Sequence, residues 1–321
     1  MKVKPLQKHA SDTYYGWVIV ATVFVLSGLA FGTLASVSVF LKPLSEEFGW
    51  SRASTSIGYT VASFGSAIFG IIWGYIADKY GTRWFGLIGI IVMASSLFAL
   101  SKQDTLLKFY AFYLMFGAFG GSLVGSPLYA NVGFWFQKKP GLAIGIAAAG
   151  GAAGQGLLPY IAGVLIEAEG WDKAYMYLSA IYLIIGIPVS LLLRESPVRL
   201  MPQANLIFNI SQKGLSDKEV VIWISTAVVF CCICMSVPIV HLVSLLTDNS
   251  FSLEFSTRVL MLLMFCGIFG RILGGILGDT FGALQTYILM SFGQTLSVFW
   301  FPHLDSTIAI CLLAIFFGIT Y

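Results

Sequence analysis

Arg271 stands inside the apolar run Phe269-Gly270-Arg271-Ile272-Leu273, and of the 18 lysines and arginines it is the one placed well within a hydrophobic stretch. The planar fork of a guanidinium can make two parallel charge-assisted hydrogen bonds to a carboxylate, so the chemistry it suits is recognition of an organic anion. No covalent step and no catalytic residue are expected. An ionisable group at membrane depth is costly and marks a functional site by default. Gly270 and Gly274 flank it and leave room for the side chain to reach inward. Two other readings stay open: snorkelling to the nearer interface, and pairing with Asp279, about 12 Å further along a straight helix. His241, in Pro238-Ile-Val-His241-Leu, suits hydrogen bonding to an anion or uptake of a coupled proton near neutral pH, and equally suits helix packing against a backbone carbonyl. Tyr129 and Gln155 are weaker candidates for a cavity wall.

A second cluster has the spacing of a charged hinge. Gly74, Asp78, Lys79, Gly81 and Arg83 lie between two apolar runs. Gly74 permits close backbone approach, Gly81 permits a tight reversal, and Asp78 sits beside two cations. Such a loop can clasp neighbouring helices in one state and release them in another; it can also be an ordinary basic loop. A weaker copy, Gly275, Asp279 and Gly282, repeats the spacing, with Thr280 where the first has Lys79. Two matching loops point to a duplicated architecture with a gating role for both.

These residues need an apolar scaffold to position them, and the composition supplies one. Of 321 residues, 58% are hydrophobic and only 10% charged, against about 25% charged in a soluble domain. The mean hydropathy is +0.87. A soluble fold is excluded, and the net charge of +3 gives no reason to expect nucleic acid. Cys231, Cys232, Cys234, Cys266 and Cys311 all fall in apolar stretches, without His or Asp companions at ligand spacing. They read as packing residues rather than a disulfide framework or metal site, and no cofactor is expected.

A bilayer core needs roughly 20 helical residues per crossing. Apolar runs occur at about 17–41, 54–77, 84–100, 107–134, 141–166, 173–193, 219–245, 257–277, 284–300 and 307–321, ten candidate spans. The first, preceded by a polar segment with Lys2, Lys4 and Lys8, reads as a retained span rather than a cleaved signal. The last is still running at Tyr321, which suggests truncation. With the N-terminus inside, eleven of the 18 basic residues fall in inner segments and six in outer ones. Nine of the 15 acids fall outside, so the positive-inside rule orients the chain with a cytoplasmic N-terminus. The organisation expected is an N-terminal six-helix half over 1–193, a cytoplasmic loop over 194–218, and an incomplete second half over 219–321. Glycines four residues apart (Gly117, Gly121, Gly125; Gly150, Gly154; Gly270, Gly274, Gly278, Gly282) predict packing faces, and Pro127 and Pro159 predict interruptions of the fourth and fifth helices.

The stretch Gly74-Tyr-Ile-Ala-Asp78-Lys79-Tyr-Gly81-Thr-Arg83 resembles the signature of the major facilitator superfamily. Tyr15-Gly16-Trp17, Val39-Phe40-Leu41, Glu47-Phe48-Gly49-Trp50-Ser51-Arg52-Ala53 and Phe134-Trp135-Phe136-Gln137-Lys138-Lys139-Pro140-Gly141 resemble its monocarboxylate transporter and oxalate/formate antiporter branch. The resemblance implies an all-α polytopic membrane protein of two six-helix halves, here truncated within the tenth helix. It also implies secondary active transport of small organic anions by alternating access, as proton symport or anion exchange (antiport), in a plasma or bacterial inner membrane. Arg271 would then bind the substrate carboxylate. Many animal members carry a lysine in the first helix linked to proton and substrate binding; Ala35 occupies or adjoins that place here, which puts that proton route in doubt. The partners expected are the anion, protons and the lipid bilayer; an accessory protein is left open. Two alternatives stand: a transporter of the same fold for a different or neutral solute, and a non-transporting interaction or sensory protein or inactive fragment.

Overall fold

In hydrocarbon, each backbone N–H and C=O has to be satisfied within its own segment, so long apolar runs have to be helical. The computed structural model describes residues 14–136, 138–197 and 216–321. Each expected run carries a helix: α1 (Tyr14–Phe48), α2 (Arg52–Tyr80), α3 (Phe85–Leu100), α4 (Leu106–Trp135) and α5 (Pro140–Glu169), then α6 (Trp171–Leu191), α7 (Asp217–Asp248), α8 (Leu253–Phe281), α9 (Ala283–Trp300) and α10 (Thr307–Thr320). Among the described residues there is no strand, and seven helices are long and apolar enough to cross a membrane. The shorter α3 and α10, of 16 and 14 residues, are apolar as well. The chain is an all-α, multi-pass integral membrane protein.

The chain divides into two compact units between Ser196 and Pro197. An internal repeat links them in sequence at an offset of 201 residues, visible in the numbers themselves. Helices α2 and α8 are each 29 residues long, Arg52–Tyr80 and Leu253–Phe281. Each begins after a serine whose hydroxyl accepts a first-turn N–H, Ser51 from Ser54 and Ser252 from Phe255, at 3.0 and 3.2 Å. Such a cap satisfies a donor that the helix cannot. Each ends at a glycine in the positive-φ region, Gly81 at 82° and Gly282 at 95°, whose N–H bonds back to Ala77 O and Gly278 O. The turns before them correspond too, at Gly49 (φ 66°) and Ser250 (φ 67°), as do the starts of α4 and α10 at Leu106 and Thr307.

Within the first unit, backbones touch where side chains are absent. A Cβ on Gly150 would stand 2.0 Å from Phe24 O, and one on Gly154 1.9 Å from Gly28 O, so α1 and α5 meet main chain to main chain. Helices α2 and α4 do the same, with Gly117 at 1.9 Å from Ala62 O. The repeat reproduces this crossing in the second unit, where Gly318 on α10 would meet Leu263 O on α8 at 2.4 Å. Around the α1–α5 seam lies a buried polar set. Tyr182 donates to Leu29 O and shares a hydrogen bond with Thr33, Tyr113 and Tyr175 pair at 3.0 Å, and Tyr175 stacks on Phe40.

Two sequence expectations change. Gly117 and Gly121 share a face towards Ala62 and Ser66 on α2, although α4 carries a π-turn over Phe116–Gly121, whereas Gly125 marks a break in the helix. Gly120 packs against Met93 on α3, and π-turns cluster at functional sites. A second π-turn, Tyr182–Gly186, lies in α6. Of the glycines at 270, 274, 278 and 282, Gly270 makes a backbone crossing, whereas Gly278 faces open space and Gly282 forms the turn. Pro127 lies in the restart of α4 after Gly125, while α5 continues through Pro159.

The α1–α5 contact makes a sharp comparison. A Cβ at Gly154 collides with Gly28 O, whereas one at Gly156 meets nothing within 4 Å. Gly154→Ala is expected to destabilise by roughly 1–3 kcal/mol or more through overpacking. Gly156→Ala should be neutral or stabilise by up to about 1 kcal/mol through helix propensity. Thermal unfolding in detergent reads both; equal melting temperatures would show that the seam yields.

Candidate functional site

The first loop is built on the end of α2. Gly74 has open space where a Cβ would be, and Asp78, Lys79 and Arg83 are exposed. The two cations lie over the rings that follow them in the chain, Lys79 Nζ 5.2 Å from the centre of Tyr80 and Arg83 Cζ 5.4 Å from that of Trp84. Gly81 turns the chain with its positive φ and delivers Thr82, which is fully buried. There the structure adds a residue that sequence reading did not single out. Glu195 Oε2 accepts from both Thr82 N–H and Thr82 Oγ1, at 2.6 and 3.0 Å. A charged acceptor makes these stronger than neutral hydrogen bonds.

Glu195 is itself positioned from α4. Asn131, wholly buried, donates to Arg194 O at 2.9 Å and accepts from Ser196 N–H at 3.2 Å, and Ser196 Oγ donates to Phe134 O at 2.8 Å. The turn after α6 is thereby pinned to the end of α4, and its carboxylate pins the α2–α3 loop. Three helix ends are joined through one side chain. The signal in sequence was an acid, Glu195, inside a segment otherwise read as basic.

In the second unit, Arg271 is half-buried on α8, and its guanidinium lies 5.0 Å from the ring centre of Tyr321. The space expected beside it is used differently: a Cβ on Gly270 would meet Ile319 O and Gly318 O at 2.5 and 2.6 Å. That side of α8 is a backbone crossing with α10 rather than room for the guanidinium. Gly275 and Asp279 are half-buried further along α8, and His241 is exposed on α7. Tyr129 on α4 and Gln155 on α5 are half-buried in the first unit, and so is Ala35 on α1. All five cysteines are free thiols. Cys231 Sγ lies 3.9 Å from Ser291 Oγ and Gln294 Oε1, which makes it a contact of α7 with α9.

Comparison with known proteins places this geometry. A riboflavin transporter of Trypanosoma brucei brucei is 28% identical over 181 residues, covering 55% of this chain and 33% of that protein. Human monocarboxylate transporter 11 is 26% identical over 172 residues, covering 54% of this chain and 36% of that protein. The chain's matches thus span about a third of the length of these relatives. The fujikurins efflux protein of Gibberella fujikuroi is 26% identical over 312 residues, covering 94% of this chain and 65% of that protein. Among solved structures, a D-xylose-proton symporter superposes with a TM-score of 0.59 at 17% identity, covering 95% of this chain and 80% of that one. The xylose transporter of E. coli in a partially occluded inward-open conformation gives 0.60 at 15% identity, covering 96% and 82%. The family model described as Major Facilitator Superfamily matches residues 11–321. With the ten helices and the repeated α2 and α8 caps, that match leaves one conclusion: the chain belongs to the Major Facilitator Superfamily.

Proposed function

We propose that this chain serves secondary transport of small organic anions, monocarboxylates or short dicarboxylates, by alternating access, in the monocarboxylate transporter-like branch of the family. The observation that carries the reading is Arg271. The fold itself does not require a cation there: 201 residues earlier the repeat has Gly70, where an added Cβ would meet nothing within 4 Å. A costly charge at a position the fold fills with glycine is explained by a ligand. Tyr321 lies against the guanidinium at cation–π range, which holds an aromatic face beside the proposed carboxylate site. The similarity to human monocarboxylate transporter 11 supports the substrate class. Transport proceeds as proton symport or as exchange, with His241 the residue on hand for a coupled proton and Ala35 offering none. The reading takes Tyr129 and Gln155 as cavity residues.

A second reading is favoured by the names of other relatives, which include riboflavin and xylose transporters. A same-fold carrier of such a solute would leave Arg271 dispensable. Uptake of labelled lactate, pyruvate, formate and oxalate into proteoliposomes separates the two. Arg271→Lys keeps the charge and loses the fork, so anion affinity should fall by roughly ten- to several-hundred-fold, from about 1.5–3 kcal/mol for a charge-assisted hydrogen bond. Arg271→Gln should cost at least as much and blur the distinction between an anion and its neutral amide. Folded variants that take up anions like wild type would remove Arg271 as the ligand and favour the second reading.

The loop residues Gly74, Asp78, Lys79, Gly81 and Arg83, with Gly275 and Asp279, are proposed to stabilise one conformational state. Asp78→Asn should leave membrane abundance unchanged and slow turnover. Unchanged exchange rates in a folded protein would reduce the loop to a solvated turn.

Orientation follows from charge, with the N-terminus proposed as cytoplasmic. Lys102 and Lys138 are exposed and lie on either side of α4. In a background free of native cysteines, Lys102→Cys should label from outside and Lys138→Cys only after permeabilisation. The reverse pattern would invert the protein, and labelling of both from one side would remove α4 as a crossing.

A further inference from the structure

A groove runs along the first unit between α1 and the end of α6. It has a volume of about 340 Å³, and Tyr14, Trp17, Ala21, Val25, Val189 and Leu192 are among its lining residues. Its walls are almost wholly apolar. On α1 the lining positions recur every three or four residues, which is one helical face. From Tyr14 to Val25 that face runs roughly 16 Å at 1.5 Å per residue. One leaflet of a bilayer core about 30 Å thick is roughly 15 Å deep. The groove therefore has the length of a single acyl layer.

Its end is marked by interfacial chemistry. Tyr14 and Trp17 are exposed there, the residue types that settle at headgroup level. Arg194, also exposed, lies over Tyr15 with its guanidinium carbon 4.4 Å from the ring centre. Tyr15 donates to Leu192 O at 2.6 Å, which ties ring and cation to the groove wall. The neighbouring acid, Glu195, directs its Oε2 to Thr82. An exposed guanidinium at this place can donate two parallel hydrogen bonds to a phosphate.

We propose that this groove is the binding site of one anionic phospholipid, with its phosphate on Arg194 and one acyl chain lying along α1 from Trp17 to Val25. Charge complementarity selects the headgroup, since a basic site at a helix end favours anionic over zwitterionic lipid. The apolar wall selects a lipid over a soluble phosphate, which would leave the groove face unused. Helices α1 and α6 belong to the same unit, so the lipid would brace that unit.

The test is native mass spectrometry of the protein reconstituted in equal phosphatidylglycerol and phosphatidylcholine. Wild type should retain phosphatidylglycerol about tenfold over phosphatidylcholine, the ratio expected from one charge-assisted hydrogen bond. Arg194→Gln should abolish the preference, and Ala21→Trp, which fills the groove, should release lipid of both kinds. Lys102→Gln, at the other end of the bundle, should keep the full preference. If Ala21→Trp does not fold, Arg194→Gln at an exposed position still decides the matter. No preference in wild type, an unchanged preference in Arg194→Gln, or an equal loss in Lys102→Gln would overturn the site.

Discussion

Main-chain contact between helices is the interaction on which the rest of this structure depends. In lipid, apolar side chains gain nothing by leaving solvent for a protein interior, so helices associate through close packing and hydrogen bonds. Phe24 and Gly28 of α1 meet Gly150 and Gly154 of α5 at distances that exclude any side chain. The seam brings neighbouring groups within reach, and Ser27 Oγ donates across it to Ala147 O at 3.1 Å. The same contact fixes how α4 stands against α2, and Trp73 Nε1 then reaches Ala118 O at 2.9 Å. Because α4 carries Asn131, the seam ultimately locates Glu195 and the loop it grips.

The two units reuse one plan and then depart from it at particular positions. The caps, helix lengths and glycine crossing of α2 and α8 coincide at a constant offset, down to the pair Gly117–Ala62 and its counterpart Gly318–Leu263. Against that sameness, differences carry information. Thr82, which supplies two donors to Glu195, has Ala283 as its counterpart, with no hydroxyl to offer. Gly70 has Arg271. The repeat thus provides an internal reference for separating what packing demands from what it does not.

Much of this was legible in the sequence because its causes are local. Apolar length specified the ten helices, and Gly81 and Gly282 announced reversals that only a residue tolerant of positive φ makes cheaply. Arg271 announced itself by cost. Features that depend on distant partners were hidden. Glu195 reaches Thr82 across 113 residues, Tyr321 reaches Arg271 across 50, and neither pairing leaves a trace in spacing. The glycine faces were half legible: four-residue spacing placed Gly117 and Gly121 together against α2, whereas Gly278 and Gly282 do not share in the crossing that Gly270 makes with α10. The serine caps at 51 and 252 were readable in principle, since each stands a few residues before an apolar run, but their correspondence shows only when the two halves are laid side by side.

The π-turn at Phe116–Gly121 has a consequence for how this helix can change over generations. A π-turn is an α-helix with one residue inserted, and one residue is about 100° of rotation at 3.6 residues per turn. Deleting one residue between Ala118 and Gly121 would restore regular winding and swing the face presented beyond Gly121 by that angle, while the crossing at Gly117 stayed in place. Most helices can alter what they present only one side chain at a time. Here a single codon gained or lost rotates the whole remaining surface, so the segment that bears Tyr129 and Asn131 is open to change by indel as well as by point substitution.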